Sequence, residues 1–226
     1  MSTTTASPQV QSHIPPRLLT RWAGGLVIAH VVVLMGGFAV ESGVASVEHG
    51  TSPSTIQHTF ADHSLVKIFA GGYVESLAFV LLVPALVLVA QSFSRRTDLG
   101  RLASRTFLGL GIAYVASTLA VGFPPGAAAF YAAHHGVAAS TIATVNDIRN
   151  YSFVLQVALT AAMAAALGIA ALGERRHTRW VGWGGLAFGL VGLAVTPIAH
   201  NPVSMVFLIW WVGLGVVLLR EKDQPA

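Results

Sequence analysis

The 226-residue sequence contains no cysteine, which excludes disulfides, thiolate metal sites and cysteine nucleophiles and leaves redox compartment unreadable. Charge is also scarce: 10% of residues are Asp, Glu, Lys or Arg, against about 25% in an average soluble domain. Lysine occurs only at Lys67 and Lys222. There is no P-loop, no GxGxxG, no HExxH and no GxSxG, so the common signatures of nucleotide, metalloprotease and serine-hydrolase chemistry are missing.

What is present is apolar. Hydrophobic residues make up 54% of the chain and the mean hydropathy is +0.68, values that place it among polytopic membrane proteins. Six runs reach membrane length: Trp22–Val40, Val66–Ala90, Thr106–Phe123, Tyr151–Leu172, Trp180–Ile198 and Val203–Leu219. The expected fold is therefore all-α, a bundle of six transmembrane helices over residues 17–220. Residues 1–16, rich in Ser, Thr and Pro, are expected to form a disordered cytoplasmic tail and 221–226 a second cytoplasmic tail. The basic start and Val44-Ala45-Ser46 also suggest a cleaved signal peptide, but the apolar run is too long for one.

The basic residues punctuate these runs. Their positive balance (+4) would suit nucleic acid if it formed one patch, and it does not. Placing Arg17, Arg21, Arg95, Arg96, Arg101, Arg105, Arg175, Arg176, Arg179, Arg220 and Lys222 on one side leaves only Lys67 and Arg149 on the other. By the positive-inside rule both termini are cytoplasmic and the protein belongs to the cell membrane. The arginine pairs at 95–96 and 175–176 then serve as topology signals beside anionic headgroups of the lipid bilayer.

The connections carry local signals. Ser52-Pro53 predicts an N-cap and a short outer-face helix over Pro53–Phe60, with Ile56 and Phe60 on one face. Asp62 is placed to cap span two, and Asn146 and Asp147 to cap span four. Pro124-Pro125-Gly126 is expected to stop span three, and Ala127–Val145 to make a helical excursion on the outer surface. Ala158, Ala162, Ala166 and Ala170 in span four and Gly185 and Gly189 in span five form small-residue faces, suited to a homo-oligomer or a membrane-protein partner.

Glu75 dominates the chemistry. It sits ten or so residues into the apolar run LVKIFAGGYVESLAFVLLVPALVLVAQSF (65–93), on the order of 15 Å below the helix start at 1.5 Å per residue. A carboxylate at mid-helix costs about 3 kcal/mol in hydrocarbon, so it must pair, protonate or face water. His30, Gln156 and Tyr114 lie at comparable depth and complete an expected buried polar cluster, while Arg149 and Lys67 reach it only from the outer edge. This cluster either joins helices or forms a proton-linked or ligand site.

The outer side also gathers histidines. His58, Asp62, His63, His134, His135 and His200 are the ligand types of zinc and other divalent metals, though their spacing matches no named motif. A divalent metal there is the alternative reading, a membrane-embedded enzyme. Haem is disfavoured because His30 is the only histidine well inside a span. The first reading needs no cofactor and describes a non-enzymatic accessory, sensor or small transporter.

The layout carries a resemblance. The stretches NDIRNYSFVLQVALTAAMAAALGIAAL (146–172) and ERRHTRWVGWGGLAFGLVGLA (174–194), followed by Trp210-Trp211 before Gly213, resemble a family of small uncharacterised bacterial six-span integral membrane proteins. In that family a polar or acidic residue opens span four, a basic-Trp segment opens span five and a Trp-bearing span closes the domain. The resemblance covers Trp22 to Arg220 and implies the six-span fold, with no activity to transfer.

Overall fold

The computed structural model describes residues 16–42, 47, 50–93, 97–173 and 179–220. The expected tails, the arginine pairs at 95–96 and 175–176, Lys222 and the Val44-Ala45-Ser46 motif fall outside them. Among the described residues the chain is all-helical, and five helices are long and apolar enough to cross a membrane.

Helix α1 (Pro16–Val40) begins six residues before the expected span, because Pro16 suits the first turn of a helix, where its missing N–H is no loss. Helix α2 (Pro53–Ala61) forms in the connection, with the Ser52 hydroxyl accepting from the Thr55 N–H and Ile56 and Phe60 buried. Asp62 does not cap the next helix. It ends α2, and Ser64 occupies the N-cap of α3 (Leu65–Ser92), which runs on through Pro84.

The Pro124-Pro125 pair does not stop the chain either. Helix α4 (Asp98–Ser117) passes through a π-helical turn at Thr118–Gly122 into α5 (Phe123–His134). Pro125 has no N–H to give to the carbonyl of Val121. Ser152 of the neighbouring helix donates its hydroxyl to that oxygen at 2.8 Å, so the cost of the proline is met from outside the helix. Gly136, at φ +70, makes the turn that ends this segment.

Helix α6 (Ala139–Leu172) starts well before the expected span four. Asn146 and Asp147 consequently lie inside the helix and cap nothing. Asn146 instead donates to the carbonyl of Val47 at 3.4 Å, as Asn150 does at 3.2 Å.

Expected spans five and six are one helical element, α7 (Arg179–Leu219), interrupted only at Ala199 (φ −140, ψ 51) between Pro197 and Pro202. Its two arms fold back on each other. A Cβ on Gly213 would meet the Trp180 ring at 2.6 Å, one on Gly185 the Trp210 ring at 2.9 Å, and one on Gly192 would lie 3.5 Å from Val203 Cγ1. Phe188 and Phe207 sit between these pairs with ring centroids 6.2 Å apart. These pairs straddle residues 197–198 at nearly equal distances along the chain, so α7 is a helical hairpin.

Every major helix packing is antiparallel. Gly37 meets Glu75 and Gly71 across α1 and α3, Ser104 bonds Ala90 across α3 and α4, and Gly122, in the π-helical turn that follows α4, meets Gln156 of α6. Gly185 and Gly189 pack against Ala164, Ala161 and Ala165 of α6, and Gly215 packs against Ile28 of α1. The Gly185–Gly189 face is thus occupied within the chain, against Ala161, Ala164 and Ala165 rather than the expected row Ala158, Ala162, Ala166 and Ala170, where glycine lets two backbones approach.

One main core, containing Phe107, Leu86, Leu167 and Trp211, runs through the bundle. The opposite polarity holds outside: Ile198 is 88% and Ile209 73% exposed, as a lipid-facing surface requires. A second, smaller core joins α2, α5, the start of α6 and Ile68, with Phe60 stacked on Phe130 at 4.0 Å. The continuous α4–α5 segment of 37 residues would be about 55 Å long if straight, longer than the roughly 30 Å of a bilayer's hydrocarbon.

Candidate functional site

A cavity of about 1290 Å³ opens at one end of the bundle, between the end of α1, the start of α3, the α4–α5 junction, the first half of α6 and the α7 turn. Helix packing builds it. The α1 and α3 backbones approach closely because Gly36-Gly37 and Gly71-Gly72 carry no side chains. The two acidic residues use that space reciprocally, the Glu75 side chain lying against Gly37 and the Glu41 side chain against Gly71.

Glu75 is 4% exposed and lines the cavity, and its Oε1 has no hydrogen-bond partner. It feels the charges of both Glu41 and Arg149. Arg149 enters from α6, its side chain crossing Gly126 of α5, where a Cβ would stand 3.1 Å from Nε. Glu41 stands past the end of α1, where partial burial pushes its carboxyl above the usual carboxylate range while the Arg149 guanidinium pulls the other way.

Gln156 and Tyr114 line the same cavity as Glu75. Tyr114 packs edge-on against Phe79 at 5.4 Å, and Phe79 meets Phe123 at 5.5 Å, so an aromatic wall stands beside the carboxylate. The Gln156 amide rests on Gly122 with Nε2 unpartnered. His30 is not in the cavity. It donates from Nδ1 to the Ala78 carbonyl at 2.8 Å and meets Phe79 edge-on, so it ties α1 to α3.

The outer histidines are not gathered. His63, His134 and His135 bond carbonyls one turn back, of Thr59, Phe130 and Tyr131. His58 and Asp62 are exposed on α2, and only His200, edge-on to Phe153 at 5.7 Å, reaches the cavity. Among the described residues no three His, Asp or Glu side chains come together as a metal site.

Sequence reasoning passed over Glu41 and underweighted Arg149. The signal for Glu41 was the paired glycines at 36–37 and 71–72, which mark a close helix crossing beside it. Arg149 looked peripheral because span four was started two residues after it. With α6 beginning at Ala139, Arg149 stands three turns inside a helix. No protein family, no curated protein and no solved structure matches the chain.

Proposed function

We propose that this is a non-enzymatic membrane protein that crosses the bilayer six times, with both termini cytoplasmic, and binds a small organic molecule in an outward-facing cavity, as a transporter or sensor. Six crossings are supported by the antiparallel arms of α7, each about as long as the hydrocarbon is thick. The orientation is supported by Arg17, Arg21, Arg101, Arg105, Arg179 and Arg220, all at the end of the bundle opposite the cavity.

The observation that carries the binding reading is Glu75: a buried carboxyl group with one unpartnered oxygen, on a residue that lines a cavity of about 1290 Å³. A carboxylate that only joined helices would spend both oxygens on its neighbours. Ligand pockets commonly measure about 300–1,000 Å³ and place a few polar groups in an apolar wall, which is the composition here.

The absence of native cysteine makes the test direct. Ser76 and Ser204 line the cavity, and Asp98 is 94% exposed at the opposite end. Single variants Ser76→Cys and Ser204→Cys should react with a membrane-impermeant maleimide added to intact cells, and Asp98→Cys only after permeabilisation. Labelling of Ser76→Cys from the cytoplasmic side alone, or from neither side, rejects an outward-facing binding cavity.

A further inference from the structure

Resting on that reading, the charge and walls of the cavity select a class of ligand. Among the described residues three carboxyl groups line it, those of Glu41, Glu75 and Asp147, against the guanidinium of Arg149. Acidic side chains outnumber Arg149 on this lining, so an incoming anion would meet more carboxyl groups than cations. Phe79, Tyr114 and Phe123 line the cavity together with Glu75, and aromatic rings attract cations that come within about 6 Å of their faces. The volume far exceeds a bare ion.

We propose that the cavity receives a lipophilic organic monocation, such as a quaternary ammonium or phosphonium, whose charge pairs with Glu75, and that a proton neutralises Glu75 when the ligand is absent. Cation and proton then compete for one carboxylate. The exchange balances in charge: one proton leaves Glu75 as one cation arrives.

The groups around Glu75 are accounted for on each packed element. From α1 comes His30, committed to the Ala78 carbonyl, with Glu41 just beyond the helix end. Among the described residues, from α4 comes Tyr114, from α6 Asp147, Arg149 and Tyr151, and from the α7 turn His200. On α3 itself Tyr73 lines the cavity, whereas Lys67 is exposed at the helix start. No lysine lines the cavity, and α5 contributes no ionisable side chain to it.

The probe is tetraphenylphosphonium, titrated by calorimetry into the full-length protein in neutral detergent. Saturable binding should weaken about tenfold for each unit the pH falls, in the range where one proton competes with one cation. Glu75→Gln should abolish it, while Asp98→Asn should leave it unchanged. In weakly buffered solution at the acidic end of that range, the wild-type protein should release about one proton per cation bound. Because this last measurement needs no variant, it decides the matter even if Glu75→Gln does not fold. Binding that ignores pH, survives Glu75→Gln or releases no proton overturns the proposal, as does preference for an anionic amphiphile such as dodecyl sulfate. If tetraphenylphosphonium fails while Ser76→Cys still labels from outside, the cation assignment falls alone; if Ser76→Cys does not label, the binding cavity falls with it.

Discussion

Glu75 lies directly against Gly37. The close approach is possible only because residue 37 has no Cβ: one built there would also stand 3.1 Å from the Glu75 backbone nitrogen and 3.1 Å from the Gly71 oxygen. Across the same interface Glu41 lies on Gly71, with a hypothetical Cβ 2.9 Å from Oε1. The polar site and the helix crossing are thus one arrangement, and each depends on the other's glycine.

Substituting Gly37→Ala or Gly71→Ala should therefore force α1 and α3 apart and displace an acid from the cavity wall. Overpacking of this kind costs about 1–3 kcal/mol. Gly25→Ala, where nothing lies within 4 Å, serves as the control and should be neutral or stabilising by up to about 1 kcal/mol through helix propensity. Thermal unfolding in detergent compares the three. Equal melting temperatures would falsify the close-crossing account.

Oxidation of a Gly192→Cys, Val203→Cys pair should yield an intramolecular disulfide. In the hairpin a Cβ at 192 stands 3.5 Å from Val203 Cγ1, within reach of a bridge whose Cβ atoms are about 3.8 Å apart. Along an unbroken helix the two positions would be separated by roughly 16 Å. Mass spectrometry of the oxidised protein reads the result, with no native thiol to confuse it.

Stability should fall as pH rises through the window between the ordinary carboxyl range and the raised value of Glu41. Burial makes the folded protein hold this proton more tightly than the unfolded chain. Below the ordinary range both states are protonated and the difference vanishes; above the raised value the folded state carries a buried charge at a cost. Glu41→Gln should flatten that part of the melting-temperature profile, and an unchanged slope assigns it to other groups.

Chelators should leave the protein as it is. Among the described residues no three His, Asp or Glu side chains come together, so removing divalent ions should not shift the melting temperature. A drop of several degrees on adding EDTA, restored by zinc, would show that these side chains gather around an ion after all.

The sequence made the helices legible where hydropathy alone decides them, as in α3, found within a residue or two of its expected ends. It misplaced the boundaries that neighbours decide. Pro124-Pro125 is a stop signal in isolation, and only the hydroxyl of Ser152, from a helix 27 residues downstream, fills the vacancy it creates at Val121. Asn146 looked like a cap for the same reason: its actual partner, the Val47 carbonyl, lies 99 residues away. Glu75 was conspicuous because a charge is costly in an apolar run, but whether Glu75, Gln156 and Tyr114 share a space depends on helix rotation, which no local pattern encodes.

The apolar runs and the placement of arginine by themselves determined that this protein is a membrane helix bundle and which ends of its helices belong together, since the transfer cost of charge and backbone leaves no other solution. The tertiary structure alone decided that Glu41 and Arg149 join Glu75 at one cavity, that His30 does not, and that the glycine faces are spent inside the chain. Those outcomes rest on close packing between residues far apart in sequence, where a missing Cβ or one serine hydroxyl determines how near two helices come and what is left open between them.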